Sequence, residues 1–536
     1  MLRFTSACAL LLAGAASAQT AVNQESSAWY TDAQALLEEK LAHENNTNTA
    51  KNVILFVADG NGVGTNYATR LWVGQQEGGL GDDYVLPQEE FPNMALVKTY
   101  TTNGQTPDSA PTASALNTGV KSKNGMINVS EDVALSDCAN YDGNTLTTFA
   151  EIATDQGKSV GIVSTARITH ATPAAVYSKT LNRDWENDTE MPEGECQQTE
   201  DIAAQLITAM EAGTVDFVMG GGRRNFLPNG VTDDEGGEGL RLDDRNLVEE
   251  AQELGWQYVW NDETAAAADP GQPVFGLFEA SHMQYEHDRE GEPSVAEMTE
   301  MAINSLQNNE DGYFLQVESG RVDHANHDGN LYRTVTDGAA FAEAIAKAVE
   351  MTNPEETLII VTADHSHAIN FNGYCGRGSN IVGLCMQVDD EGTEHNGEPN
   401  MALDGKPYTV AGYLNGAGSV MVQEEGANDY SGSRPELTEE EATDPDYLQQ
   451  SLIPMTSETH SGEDITAMAT GPWSHLVDGV IEQNFLFHVM NYAISGGEEM
   501  ASGDAEAEGE MAAEEAASEE APAEDAAAEE GETATQ

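Results

Sequence analysis

Short, almost wholly apolar runs recur along this chain, and each ends in a polar cluster. Lys51 to Gly64 reads KNVILFVADGNGVG, Tyr313 to His327 reads YFLQVESGRVDHANH, and Thr357 to His367 reads TLIIVTADHSH. Aliphatic and β-branched runs without polar alternation mark strands buried on both faces of a parallel sheet. Ser159 to Thr165 (SVGIVST) and Val215 to Gly222 (VDFVMGGG) repeat the pattern. Helical segments are expected at Ala28 to Ala42, where Trp29, Leu36, Leu37 and Leu41 recur at near-helical spacing, at Thr106 to Gly119, at Arg241 to Glu253 and, packing last onto the sheet, at Leu476 to Ile494. Residues 370–455, rich in Gly and Asn, form an insertion. Strands alternating with helices predict an α/β fold, a three-layer sandwich whose central, mostly parallel sheet is flanked by helices. No linker interrupts the signals from about residue 50 to 493, so one domain over residues 19–496 is expected.

The polar clusters carry the chemistry. Asp59 follows the first run; Glu318, Asp323 and His327 follow the second; Asp364, His365 and His367 follow the third; and Glu458-Thr459-His460 sets a histidine beside an acid again. Carboxylates and imidazoles at the carboxyl ends of strands are what a catalytic zinc ion takes, so these ends predict one metal cluster. Alone, Asp59 would be a turn or capping residue; the other clusters reverse that reading. Its glycines lack the GxGxxG spacing of a nucleotide-binding turn and instead let the backbone bend beside a ligated ion.

Asp108, Ser109 and Pro111 open a helix. A serine there is ordinarily a cap, but the positive field of a helix N-terminus also favours an anionic oxyester at its hydroxyl. After SVGIVST come Arg167, His170 and Thr172, then Arg183, a planar fork suited to phosphate or, on the bland reading, a surface ion pair. Phe278 to Glu292 gathers Glu279, Glu286, Asp288 and Glu292, either calcium ligands or solvated charge.

Charge then narrows the partners. With 93 acidic and 22 basic residues the net charge is −71. The tail from Gly497 to Gln536, acidic and without Lys, Arg or aromatics, is expected to be disordered. Most of the charge therefore stays on the folded part, which argues against nucleic acid and predicts a halophilic protein whose self-repulsion is screened by salt. Residues 1–18, with Arg3, an apolar run from Ala7 to Ala13 and Ala16-Ser17-Ala18, read as a signal peptide cleaved after Ala18. No later stretch is long and apolar enough to span a bilayer, so a periplasmic or extracellular protein is expected. The four remaining cysteines allow three pairings, of which Cys138 with Cys196 and Cys375 with Cys385 is the one expected.

In order, DGNG, TPDSAPTASALNTGVKSKNG, RITHATPAAVYSKTLNRDW, VESGRVDHANHDG, VTADHSH and ETHSGED resemble the motifs of alkaline phosphatases, most of all the animal-type branch, from about Trp29 to Ala493. The resemblance implies a phosphomonoesterase of broad range, active at alkaline pH through a covalent phosphoserine on Ser109, with Arg183 as the phosphate clamp. It assigns Asp323, His327 and His460 to one zinc ion, Asp59, Asp364 and His365 to a second, and Asp59, Thr172 and Glu318 to magnesium, with His170 and His324 beside the metals. It implies a homodimer to which the N-terminal helix and the crown-like insertion contribute, and a calcium site around Phe278, Glu279 and Glu292, here spaced two residues shorter than in the family. Asn61 stands where the family usually has methionine, and Pro111 where glycine often follows; neither removes a ligand. Cys375 and Cys385 look peculiar to this chain. The rival readings are a phosphodiesterase or sulfatase of the same superfamily, and an extracellular protein that binds divalent cations without turnover.

Overall fold

Ten strands form the central sheet: β1 (Asn52–Ala58), β2 (Asn93–Lys98), β3 (Ser159–Arg167), β4 (Phe217–Gly221), β5 (Gln257–Val259), β6 (Val274–Leu277), β7 (Tyr313–Ser319), β8 (Thr357–Ala363), β9 (Ile465–Thr470) and β10 (Gly479–Glu482). This computed structural model describes residues 23–192, 196, 199–233, 235–423 and 429–497, so the expected signal peptide and the tail beyond Gly497 lie outside the described residues. The spatial order is β10-β2-β9-β8-β1-β7-β3-β4-β6-β5. Only β9 runs against its neighbours, β2 and β8; the other pairings are parallel.

Alternation along β1 explains the layers. Val53, Leu55 and Val57 join a core with Ala113, Leu116, Phe149 and Val489 from helices on one face, while Ile54 and Phe56 join Ile303, Phe341 and Ala344 from helices on the other. Both faces are therefore buried, which is why these strands carry no polar alternation.

Two helices are shorter than expected. The last spans Phe485–Ile494, because Gly479 takes φ +73° and Val480 and Ile481, β-branched, pair with Leu96 and Val97 as an edge strand. The other spans Leu247–Glu253 behind an Asn246 cap, Arg241 being drawn into ion pairs with Asp201 and Asp243.

Among the described residues, 23–44 belong to one unit and those from 45 onward to another. The helix of the first, Ala28–Ala42, has the bounds the spacing predicts, yet no residue in it is buried and Trp29 and Leu41 are each 77% exposed. Within 370–455 the described residues form two-stranded pairs, among them Met386–Val388 with His395–Pro399, and one short helix, Glu439–Ala442. Both expected disulfides are formed, Cys138–Cys196 and Cys375–Cys385, each with a Cα–Cα distance of 4.9 Å.

Candidate active site

Ligand-type side chains from five separate segments meet at the carboxyl ends of β1, β7 and β8. Asp59 and Asp364, just past β1 and β8, are fully buried, as is His365. His365 Nε2 lies 3.3 Å from Asp59 Oδ1 and 3.2 Å from Asp364 Oδ2. Asp364 is fixed through Oδ1, which accepts from Gly60 N–H at 3.0 Å and its neighbour's N–H at 2.9 Å. Gly60 itself has φ +70°, and a Cβ there would sit 2.4 Å from His367 Nε2, so only glycine admits this approach.

Asp323, His327 and His460 form a second group. Asp323 Oδ1 is 3.5 Å from His327 Nε2 and 3.4 Å from His460 Nε2, and the two Nε2 atoms are 3.0 Å apart. His327 Nδ1–H donates to Glu458 O at 2.6 Å and His460 Nδ1–H to Pro107 O at 2.8 Å. With their protons committed to Nδ1, both imidazoles aim lone pairs at one point, which suits a cation.

Asp59, His170 and Glu318 bring ligand atoms within 4.8 Å of one another. Asp59 Oδ2, Glu318 Oε1, Thr172 Oγ1 and His365 Nδ1 are buried with no hydrogen-bond partner among the described residues. Buried polar atoms are normally paired, so these orphans fit divalent cations. The electrostatics agree. Burial, then Asp323, Asp364 and Glu318, raise the Asp59 carboxyl well above the usual range, and burial pushes Glu318 up to about 8. Burial works against ionised Asp323 too, but His327, His367 and His460 hold its carboxyl well below the usual range.

Ser109 is the first residue of the helix Ser109–Thr118, and its cap is Asp108, whose Oδ1 accepts from Ala110 N–H at 2.8 Å. Ser109 Oγ, 2% exposed as a residue, lies 3.4 Å from Asp59 Oδ1 and 3.3 Å from His365 Nε2. The same Asp108 Oδ1 is 3.3 Å from Arg183 Nη1, and Arg183 Nη2 is 2.8 Å from His170 Nε2. One carboxylate thus aligns helix, hydroxyl and guanidinium. His324 packs 5.6 Å from the His170 ring.

Sequence reasoning named His367 and Glu458 without giving them a role, and it missed Ser164 as a support. His367 Nε2 is 2.7 Å from Asp323 Oδ1, and its Nδ1 bonds the buried Glu458 carboxylate, which also accepts from Ala368 N–H at 2.6 Å. The two carboxylates pull His367 up to about 10 against its burial. Ser164 Oγ donates to Glu318 Oε2. The candidate calcium residues lie elsewhere: Phe278 O accepts from Arg223 Nη2 at 2.9 Å, Glu279 Oε1 from Gln284 Nε2 at 3.1 Å, and Glu292 Oε1 from Gln284 N–H at 2.7 Å. Burial pushes Glu292 up to about 7, and its Oε2 is unpartnered.

Residues 50–495 match the family model of the alkaline phosphatases. The chain is 40% identical over 486 residues, 88% of each sequence, to the tissue-nonspecific alkaline phosphatase isozyme of Rattus norvegicus. It is also 40% identical over 481 residues to the Homo sapiens isozyme, covering 87% of this chain and 88% of that one. Among solved structures it is similar to Thermus thermophilus alkaline phosphatase, with TM-score 0.59 and 22% identity over 84% of this chain and 92% of that one. The alkaline phosphatase of the Antarctic bacterium TAB5 gives TM-score 0.57 at 21% identity over 84% and 100%; a variant of it is described with Mg bound in its M3 site.

Proposed function

This chain belongs to the alkaline phosphatase family and is a metal-dependent phosphomonoesterase, and we propose that Ser109 is the nucleophile through which it turns over a broad range of phosphate monoesters. The observation that carries this reading is the Ser109 hydroxyl, buried and 3.3 Å from His365 Nε2 within a ring of cation-seeking orphans. Ser109 Oγ attacks phosphorus in line and releases the alcohol, leaving a phosphoserine that water then cleaves, so phosphorus configuration is retained. Arg183 grips two non-bridging oxygens with its planar fork and so fixes the phosphoryl group against Oγ. The dipole of the helix Ser109–Thr118 adds positive field at the same point.

Asp323, His327 and His460 would hold one zinc ion, Asp59, Asp364 and His365 another, and Asp59, Thr172 and Glu318 magnesium. Bound there, such cations supply Lewis-acid charge that favours ionised oxygen and offsets the charge of the phosphoryl group. The orphaned oxygens of Asp59, Thr172 and Glu318 support this, as does the magnesium of the TAB5 variant. A calcium ion at Glu279 and Glu292 is supported by the free Glu292 Oε2, whereas the Phe278 carbonyl is already bonded to Arg223.

The exposed Trp29 and Leu41 support a homodimer, and the two disulfides support export to the periplasm or medium. Among the described residues no helix is long and apolar enough to cross a membrane. The domain assignment remains one catalytic body with a crown-like insertion, and the charge of −71 supports a salt-adapted form. Hydrolysis of p-nitrophenyl phosphate at alkaline pH tests the function: turnover should vanish on chelation and return with zinc and magnesium, and metal binding without turnover would reject it.

A further inference from the structure

Two arginines beside the site form no ion pair among the described residues, in a chain with 93 acids and 22 bases. Arg321 follows β7. Its Cζ stacks 3.7 Å from the Tyr285 ring centroid and its Nη1 lies 3.0 Å from His324 Nδ1, but Nε is buried without a hydrogen-bond partner. Arg224 follows β4 and its Nε is likewise buried and unpartnered. Among the described residues neither arginine forms an ion pair, whereas Arg167 is neutralised by Glu186 at 2.6 Å and Arg183 contacts Asp108.

His282 stands between them. The N–H of Arg224 donates to Ala280 O at 3.2 Å, which sets that arginine against the turn carrying His282. The His282 ring is 4.0 Å from the His324 ring and 5.4 Å from the His170 ring. Its Nδ1 accepts from Arg167 N–H at 3.2 Å and its Nε2 faces Arg167 Nη1, so both ring nitrogens meet donors although a neutral imidazole accepts at only one. The charged groups that bear on His282 are Arg167, Arg224 and Arg321. A guanidinium whose buried Nε lacks an acceptor is costly until an anion reaches it.

The residues leave the carboxyl ends of β3, β4, β6 and β7, adjacent strands in the sheet. They continue the row that begins at Arg183 and His170, along the crevice where open parallel sheets bind ligands. We propose that Arg224, Arg321 and His282 form a second anion subsite, which receives a further negative group, phosphoryl or carboxylate, on the part of the substrate beyond the reacting phosphate. The subsite reverses locally the repulsion that a surface of net charge −71 exerts on polyanions. It rests on the phosphomonoesterase reading above.

The test compares kcat/KM at one low ionic strength for two matched pairs: glucose 6-phosphate with 6-phosphogluconate, and fructose 6-phosphate with fructose 1,6-bisphosphate. The unmodified holoenzyme should prefer the more anionic member of at least one pair, and which pair tells carboxylate from phosphoryl. Arg224→Gln and Arg321→Gln, on separate strand ends, should each lower that preference about ten-fold while glucose 6-phosphate turnover stays within about two-fold. His282→Glu, which keeps both arginines but sets a carboxylate between them, should lower it as well. Absence of any preference, or equal losses on neutral and anionic substrates, overturns the subsite. Failure of the unmodified enzyme on all four esters instead overturns the phosphomonoesterase reading, and the subsite with it.

Discussion

The Nε2 atoms of His327 and His460 face each other at 3.0 Å, each with its Nδ1 proton given to a backbone carbonyl. Two lone pairs at that separation repel unless a cation stands between their directions, and Asp323 Oδ1 lies within 3.5 Å of both. Chelation should therefore lower Tm by several degrees, since a ligand at 1,000 times its Kd adds about 4 kcal/mol to the folded state. Differential scanning calorimetry with and without EDTA checks this, and a Tm indifferent to EDTA would contradict the metal cluster.

Arg183 is held by Asp108 on one side and His170 on the other, so its fork is set before substrate arrives. Arg183→Lys keeps the charge and loses the paired donors. Inhibition by inorganic phosphate should weaken about 10- to 100-fold in that variant, with folding intact. An unchanged inhibition constant would show that the guanidinium does not grip phosphate.

Asp337 is pushed up to about 8 by burial, although Arg321 and the Glu286 N–H favour its ionised form. The folded chain then keeps a proton that the unfolded chain releases above its ordinary carboxylate pKa, near 4. Stability from this group is full below that pH and lost as pH rises towards 8. Asp337→Asn cannot ionise and can still accept from Glu286 N–H. Its Tm should decline less than that of the unmodified protein between pH 5 and pH 9, so the variant gains most at pH 9; an equal pH slope in both refutes the shift.

Self-repulsion across so acidic a surface is screened within about 3 Å in molar salt and about 30 Å at 0.01 M. Melting temperature should rise by about 5 °C or more between dilute and molar sodium chloride. A melt unaffected by salt would leave the acidity to solubility alone.

The sheet was legible because burial on both faces removes polar alternation, which also leaves Asp59 and Asp364 conspicuous after apolar runs. From the local pattern Ser109 read as a helix start whose hydroxyl favours an anionic oxyester, the nucleophile's role coming from the resemblance alone; the fold adds that Asp108 caps that helix and also holds Arg183. Glu458 read only as an acid beside His460, and its hold on His367 depends on the fold bringing the two together across the chain. The hint was His367 itself, two residues beyond His365 and just past the same strand. Leu476 to Glu482 misled because Val480 and Ile481 satisfy a helical stripe as readily as an edge strand, and pairing with β2 decides between them.

The central claim is that Ser109 is phosphorylated during turnover. Labelled phosphate trapped on the holoenzyme by acid quench should appear on Ser109, and Ser109→Ala should lose both the label and at least about 10³-fold in kcat/KM while retaining its zinc and magnesium. A labelled covalent intermediate surviving in Ser109→Ala, or label found on another residue of the unmodified enzyme, would contradict the account.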